Sequence, residues 1–239
     1  MSDTAKLALP LLSAAQAQKH VTVNEALARL DTITSAHLES AELSAPPPAP
    51  AEGDGYAVRT PGVAEWSARD GQVAFFLNGG WNFFSPPAGY AAWVADRAER
   101  MIFDGTTWRP TPIGPISSGA ATTGALASAD EPIVPGFGFS TTLSIPDRAI
   151  VLGVTARVMN DMTGPGLTGW RIGVDGAADR YGNAIGLVAG SSLVGVTGAP
   201  VSYYSATPLR IEPIGGGAFV GGSIRISVHY LELTPPSFP

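Results

Sequence analysis

The second half of the chain is a succession of short apolar runs, each closed by glycine, proline or aspartate, and this alternation limits what the chain can fold into. Apolar runs of this kind between turn-forming residues are typical of β-strands. Gly 29 and Pro 21 together make up about a fifth of the 239 residues, and charged residues only 14%, which favours strands and turns over long helices. Strands are predicted between about Pro132 and Thr234, in the runs Thr141–Ile145, Ala149–Val158, Trp170–Val174, Ala184–Val188, Val201–Tyr204 and Ser223–Leu233.

The last of these runs shows how the strands are arranged. Its residues alternate, with Ile224, Ile226, Val228 and Tyr230 on one face and Arg225, Ser227, His229 and Leu231 on the other. One buried face and one wetter face are typical of antiparallel sheets that pack face to face. The fold class is therefore predicted to be mainly β, with short N-terminal helices and a β-hairpin module followed by a C-terminal antiparallel jelly-roll-like β-sandwich.

The N-terminal part has helix signals. Ser13–Gln16 and Thr22–Glu25 both match the capping box, in which a hydroxyl and a Glu or Gln side chain satisfy free backbone N–H groups at a helix start. Two short helices are predicted to follow these boxes. The second would carry an apolar stripe that docks on the rest of the protein, formed by Val23, Ala26, Leu27, Leu30 and Ile33.

The residues from Glu52 to Trp108 predict hairpins. Val73–Phe84 and Met101–Pro110 share an outline in which an apolar strand runs into Asn-Gly or Asp-Gly and a tryptophan opens or precedes the return strand. Asn-Gly and Asp-Gly accept the positive φ of a hairpin turn. Ala91–Arg100 is compatible with either a strand or a short helix. Trp81 and Trp108 are expected to pack on their own hairpins.

Two low-periodicity stretches suggest domain boundaries. The proline-rich residues from Ala45 to Pro50 favour an extended connector, and the uncharged Pro, Gly, Ser, Thr and Ala residues after Pro110 are typical of a linker. The predicted organisation is a helical docking segment at 1–45, a small hairpin module at 46–112, a linker at 113–130, and a β-sandwich receptor-binding domain at 131–239.

The sequence lacks the residues and motifs that several kinds of catalysis and binding require. Cysteine is absent, and His20, His37 and His229 have no metal-ligand spacing. Nucleotide glycine motifs and a Gly-x-Ser-x-Gly elbow are missing. The net charge of -6 argues against nucleic acid, and the apolar run Leu7–Leu12 is too short for a signal sequence or a membrane span. No cofactor, no metal, no membrane insertion and no enzymatic activity are expected.

Aromatic and polar residues in the second half suggest carbohydrate binding, because sugar C–H faces pack on aromatic rings while sugar hydroxyls bond to polar side chains. For Trp170 a place in the core is the preferred alternative. For Asp175 and Asp179 the preferred alternative is a turn. A glycosidase needs paired acids, for which Asp161, Asp175, Asp179 and Glu212 are the candidates. The predicted carbohydrate-binding residues are Trp170, Asp175, Asp179, Arg180, Tyr181, Tyr203 and Tyr204.

The first 110 residues or so resemble a known module. The phrases Ala15–Leu27, Pro50–Tyr56, Trp81–Phe84 and Asp104–Trp108 are similar to the N-terminal module, of unknown function, of small fibre and spike proteins from alphaproteobacterial tailed phages and gene transfer agents. Two phrases of the second half, Gly169–Asp175 and Tyr181–Gly186, are loosely similar to lectin-like receptor-binding heads. The resemblance brings no catalytic residues with it.

What the resemblance implies is a head spike or tail fibre that is made in the cytoplasm, built into a phage-like particle and released by lysis. Its partners would be capsid or tail proteins and a host surface polysaccharide. A homo-oligomer is expected, with a trimer favoured and a pentamer as the alternative. Docking to the particle is assigned to Gln16, Gln18, Lys19, His20, Asn24 and Glu25, with an ordinary capped surface helix as the equal alternative.

The favoured function is adhesion to the capsular polysaccharide of the host. Two alternatives remain open at this point: a spike base or adaptor that joins other particle components, and a capsule-degrading glycosidase. Exposed aromatic residues beside Asp or Arg would favour adhesion, whereas a flat apolar distal face would favour the adaptor.

Overall fold

The computed structural model describes residues 3–12 and 19–236. The chain forms two compact units, one that ends at Thr111 and one that begins at Pro112. The protein is mainly β, with several antiparallel sheets and one short helix near the N-terminus. Within the described ranges, no helix has both the length and the apolar character needed to cross a membrane.

Unit 1 contains a helix and two small sheets. The elements are α1 (Lys19–Ser35), β1 (His37–Leu38), β2 (Gly55–Ala57), a 3-10 turn (Ala64–Trp66), β3 (Val73–Leu77), β4 (Gly80–Phe84), β5 (Ala91–Val94), β6 (Glu99–Phe103) and β7 (Trp108–Pro110). Strands β1, β5, β6 and β7 form one sheet in that order, in which β1 and β5 are parallel, and β2, β3 and β4 form an antiparallel second sheet.

The helix differs from the prediction. Thr22 lies inside α1, which already includes Lys19, so the Thr22–Glu25 capping box does not start a helix. The Ser13–Gln16 box lies outside the described residues. The predicted docking stripe is also wrong, because Val23 and Leu30 are exposed while Asp31 and Thr32 are buried on the other side. The physical reason is that Asp31 accepts hydrogen bonds from the backbone N–H groups of Lys6 and Leu7, which turns this polar face inward.

Both predicted hairpins of unit 1 are confirmed. Strands β3 and β4 pair across Asn78 and Gly79, which have φ values of 54° and 74°, the conformation that Asn-Gly supplies at low cost. Strands β6 and β7 pair across a longer turn, in which Asp104 accepts the N–H groups of Thr106 and Thr107. The segment Ala91–Arg100, which the sequence allowed to be either a strand or a short helix, forms strand β5, a turn and the start of β6.

Tryptophans fill much of unit 1. Trp66 is fully buried, and Trp81 packs edge-on against it with ring centroids 5.1 Å apart. Trp108 packs against Phe103 and Tyr90. Trp81 also packs on Phe76, so each of these two tryptophans contacts an aromatic residue of its own hairpin, as predicted. The proline-rich stretch 45–50 lies inside unit 1.

Unit 2 is a sandwich of two four-stranded antiparallel sheets. The strands are β8 (Ala121–Pro132), β9 (Phe139–Ile145), β10 (Ile150–Thr163), β11 (Gly169–Val174), β12 (Ala177–Ile185), β13 (Ser192–Ser202), β14 (Thr207–Ile214) and β15 (Gly221–Thr234). Sheet I has the order β13-β10-β15-β8, and sheet II has the order β12-β11-β14-β9. This distribution of eight consecutive strands is that of a jelly roll, so the predicted architecture is confirmed.

The predicted linker at 113–130 is too long, because β8 begins at Ala121 and pairs along its full length with β15. Its inward positions hold small residues such as Ala125, Ala127 and Ala129. Their low hydrophobicity hides the period-2 pattern that marks a strand. The alternation of strand β15 is confirmed, because the four side chains predicted to face inward are all buried: Ile224, Ile226, Val228 and Tyr230.

The strand register sorts the loops of unit 2 between two ends. Ala121 pairs with Thr234, and Ile150 pairs with both Leu231 and Ser202. We call this the entry end, because the chain enters the jelly roll there; it carries loops 146–149, 175–176 and 203–206. The opposite end, called the far end, carries loops 133–138, 164–168, 186–191 and 215–220.

Candidate binding and docking surfaces

Two of the predicted carbohydrate-binding residues lie in the core of the jelly roll. Trp170 is 0% exposed, and its indole N–H donates to the carbonyl of Gly186 over 3.0 Å. Tyr181 is buried as well, and its hydroxyl lies 2.7 Å from that of Tyr203. Burial raises the pKa of Tyr181. The assignment of Trp170 and Tyr181 to sugar binding is therefore wrong, because a buried ring cannot receive a ligand.

Tyr204 is the predicted aromatic residue that the fold leaves open to solvent, with 89% of its surface exposed. It lies in loop 203–206 at the entry end. The backbone N–H of Tyr203 donates to the carbonyl of Ala149 over 3.0 Å, which fastens this loop to loop 146–149. Tyr203 itself is half-buried and packs against the core. Of the adjacent pair, one ring faces inward and the other outward, as predicted.

Loop 146–149, which is bonded to Tyr203, carries two charged residues that were not predicted from the sequence as part of a site. Asp147 and Arg148 are both highly exposed, with 4.0 Å between their carboxylate and guanidinium groups. Arg148 has a φ of 60°, so the chain turns sharply there. The signal available in the sequence was the turn Pro146-Asp-Arg, but its proximity to Tyr204 depends on the pairing of strands far apart in the chain.

Asp175 also belongs to the entry end. It forms a two-residue turn with Gly176, since Val174 pairs with Ala177 around them and Gly176 has a φ of 76°. The turn interpretation of Asp175 is thus correct, and its side chain is exposed. Asp179 and Arg180 are exposed on strand β12, beyond this turn, so the turn interpretation of Asp179 is wrong. The fold therefore brings Asp175, Tyr204, Asp147 and Arg148 to one end of the jelly roll.

Glu212, considered above as a catalytic acid, is held by two arginines on the outer face of sheet II. Arg171 donates Nε and Nη2 to one carboxylate oxygen, at 3.0 and 2.6 Å, and Arg210 donates Nε to the other at 3.2 Å. The hydrogen bonds from Arg171, and then those from Arg210, lower the pKa of Glu212. A carboxylate held ionised in this way suits a structural ion pair better than proton donation.

Candidate metal ligands do not cluster in the part of the chain that the structure describes: it contains no group of three His, Asp or Glu residues placed to hold an ion.

The predicted docking residues are only partly described. Gln16 and Gln18 lie outside the described residues, and the side chains of Lys19 and His20 are not described either. The amide of Asn24 bonds to both the N–H and the carbonyl of Leu12, at 2.9 and 3.0 Å, so it fastens the N-terminal segment onto α1. Glu25 is exposed. Asn24 thus has a role inside the unit.

Unit 1 also has an open cleft of about 360 Å³ lined in part by Arg59, Arg97 and Arg109. Glu42 joins two of these arginines, with its two carboxylate oxygens 3.1 Å from Arg59 and 2.8 Å from Arg97. Arg97 also bonds to Glu99, and Arg109 to Asp104. Each of these guanidinium groups thus bonds to at least one carboxylate, and the three carboxylates balance the charge of the three arginines.

The match to a family model lies within unit 1. A family model described as a protein of unknown function, DUF2793, matches residues 23–109, a range that contains most of α1 and strands β1 to β6. No curated protein matches the chain. Among solved structures, a chain of the Cyanophage Pam1 capsid asymmetric unit is similar, with 25% sequence identity, 53% of this chain and 94% of that chain covered, and a TM-score of 0.36.

Proposed function

We propose that the protein is a structural component of a phage-like particle, a head spike or tail fibre of a gene transfer agent or tailed phage, whose jelly roll binds capsular polysaccharide on the host surface. The particle context is supported by the sequence phrases of the first 110 residues. The binding role is carried by one observation: the entry end gathers the exposed ring of Tyr204 with the exposed charged groups of Asp147, Arg148 and Asp175.

The chemistry of this end suits a sugar chain. A tyrosine ring open on its faces can pack on sugar C–H groups, while carboxylate and guanidinium groups exchange hydrogen bonds with sugar hydroxyls. Such a shallow surface binds each sugar chain weakly. A homo-oligomer binds more tightly overall, because several jelly rolls bind the same host surface at once. A trimer is the favoured copy number.

Binding without cleavage is the proposed activity. A glycosidase places two carboxyl groups on either side of the scissile bond, and one of them has a raised pKa. Asp175 lies at the tip of a turn and Asp179 is exposed on a strand, and Glu212 is held in its ionised form by Arg171 and Arg210. Asp161 is exposed as well and accepts the backbone N–H of Ala189, so none of the four candidate acids is the enclosed acid that such a reaction uses.

The experiment compares binding of the purified protein to host cells that have or lack their capsule, together with release of reducing sugar. Capsule-dependent binding without sugar release is expected, and Tyr204→Ala should weaken it by about tenfold, the effect of losing roughly 1.4 kcal/mol of ring contact. Phe137→Ala is the matched control, because Phe137 is an aromatic residue 75% exposed at the far end. Equal loss in both variants would refute the site, and sugar release would support an enzyme.

A second candidate function is supported by the far end. Its loops expose Val134, Phe137, Val188 and Val220, and an apolar patch of this kind marks a protein-binding surface more often than a sugar-binding one. In this alternative the jelly roll joins another particle protein, and the protein is an adaptor. Capsule-independent retention on particles that is lost in Phe137→Ala would favour it.

Attachment to the particle is assigned to α1. Its outward stripe, with Val23 and Leu30 exposed, is free to contact a capsid or tail protein. A helix that presents an apolar stripe to a groove is a common way for proteins to dock. Val23→Lys with Leu30→Lys should therefore reduce incorporation into particles while capsule binding by the purified protein is retained.

A further inference from the structure

The outer face of sheet I is a broad surface that no other strand of unit 2 covers. Register places its residues in rows across β13, β10, β15 and β8. One row runs from Val194 through Thr155 and Ser227 to Ser128, and the next runs from Val196 through Gly153 and His229 to Leu126. We refer to this surface as the sheet I face.

Aliphatic side chains are concentrated on this face. Val194 and Val196 are 75% and 73% exposed on the edge strand β13. A shallow groove of about 350 Å³ runs beside Val194, with Met159 also in its lining. The other exposed aliphatic residues of the face are Leu126, Leu152 and Leu233. Each of the four strands therefore carries at least one exposed aliphatic residue on this face, and a concentration of exposed apolar surface is a mark of an interaction site.

The polar groups on the same face already bond to one another. Thr155 Oγ1 lies 3.0 Å from His229 Nε2, and the hydroxyls of Ser128 and Ser227 lie 2.8 Å apart. Groups that keep their hydrogen bonds when water leaves do not carry the cost of an unsatisfied buried polar atom. The face is therefore suited to being covered by another protein surface.

Its charges are few and largely balanced. Arg225 donates two hydrogen bonds to Asp130, at 2.6 and 2.7 Å. Arg157, its neighbour on β10, donates to the carbonyl of Gly190. Such a face carries no strong charge of one sign that would select an oppositely charged partner or repel a copy of itself.

We propose that the sheet I face is the contact between copies of this chain, so that two jelly rolls pack face to face through it as a twofold pair, in place of the trimer favoured above. Four strands at about 4.8 Å spacing and about ten residues at 3.3 Å each give a footprint of roughly 600 Å². The accessible surface of such a footprint is larger because side chains project from it, and it approaches the ~800 Å² per partner of a standard stable interface. A second copy supplies an equally apolar, nearly neutral surface of the same size.

The experiment measures the mass of the full chain in solution by sedimentation across a concentration series. The wild type is expected to be an oligomer, and Val194→Lys with Val196→Lys is expected to weaken self-association at least about 100-fold, because two charges would be buried without partners. Val188→Lys is the matched control, since Val188 is 65% exposed in a far-end loop. A monomeric wild type, or equal disruption by the control, would overturn the proposed interface.

A labelling measurement makes the test independent of oligomer mass. The chain contains no cysteine, so the Val194→Cys variant and the Val188→Cys variant each carry a single thiol. In the oligomer the thiol at 194 should react with a maleimide more slowly than on dilution to monomer, whereas the thiol at 188 should react at the same rate in both. Equal rates at 194 under the two conditions would contradict the proposed contact.

The proposed interface rests on the proposed function only for the expectation of a homo-oligomer. An experiment can therefore refute the interface or the adhesion role without refuting the other. A monomeric wild type that still binds encapsulated cells would remove the interface and keep the adhesion role. An oligomer that the lysine variant dissociates, but that never binds capsule, would keep the interface and remove the adhesion role.

Discussion

The hydroxyl groups of Tyr181 and Tyr203 lie 2.7 Å apart and join strand β12, at the edge of sheet II, to the loop that follows β13, at the edge of sheet I. Tyr181 is buried and Tyr203 is half-buried, so the hydroxyl of Tyr181 takes its partner from Tyr203. This bond ties the two sheets together on one side of the sandwich, close to the loop that carries Tyr204.

Replacing Tyr203 with Phe should leave the buried hydroxyl of Tyr181 unsatisfied and lower the free energy of unfolding of unit 2 by about 1–3 kcal/mol. The double variant with Tyr181→Phe should lose less than the sum of the single variants, because it leaves no orphaned hydroxyl. Hydrogen exchange of the β12 and β13 amides measures the loss. Tyr204→Phe is the control, and an equal loss in that variant would contradict the expectation.

Acid should weaken the ion pairs around Glu212. The bonds from Arg171, followed by those from Arg210, lower the pKa of Glu212 below its ordinary 4.5. A carboxylate whose pKa is lower in the folded state stabilises the fold fully above the unfolded pKa, and this stabilisation is lost as the pH falls through the folded value. The advantage of the wild type over Glu212→Gln, roughly 1 kcal/mol at pH 7, should therefore shrink between pH 5 and pH 3.

Calorimetry at a series of pH values would follow this difference in melting temperature. Asp179→Asn is a suitable comparison, since Asp179 is an exposed carboxylate of the same unit. An advantage of the wild type over Glu212→Gln that stayed constant down to pH 3 would mean that the ionised form of Glu212 does not stabilise unit 2.

Removing the carboxylate of Asp31 should release the N-terminal segment. Asp31 is 1% exposed and accepts the backbone N–H groups of Lys6 and Leu7, at 2.8 and 2.6 Å. Bonds to a buried charge contribute about 1.5–3 kcal/mol, so Asp31→Ala should increase local opening by roughly 10- to 100-fold. Trypsin cuts after lysine, and its rate of cleavage at Lys6 reports that opening. Glu25→Ala, a change at an exposed position of the same helix, should leave the rate unchanged.

Much of the fold can be predicted from alternation and turn chemistry alone. The alternation of β15 predicts which of its side chains are buried, and Asn78-Gly79 predicts a hairpin, because both patterns report local geometry. Strand β8 escapes the same reasoning, since its inward alanines contrast too little with its outward polar residues. The inward face of helix α1 was predicted wrongly for another reason. That face is fixed by hydrogen bonds between Asp31 and the backbone of Lys6 and Leu7, and a contact with a distant segment leaves no periodic pattern in the sequence of the helix.

The candidate site could be predicted only in part. Tyr204 stands next to Tyr203, and the strand rule correctly requires one of them to face outward. For Trp170 no local rule applies, but the tendency of tryptophan to be mostly buried favours the core, and the core is where Trp170 lies. Asp147 and Arg148 reach the same end as Tyr204 only through the pairing of β10 with β13, a relationship between residues more than fifty positions apart.

Strand β8 begins beside the last residues of β15, where Ala121 pairs with Thr234. The polypeptide thus enters the jelly roll and leaves its last strand at neighbouring points on one end. A module with that arrangement can be exchanged by recombination as a single cassette, because neither junction cuts through a strand of the sandwich. Such an exchange would replace the whole sandwich and leave the sequence of the unit that precedes it unchanged.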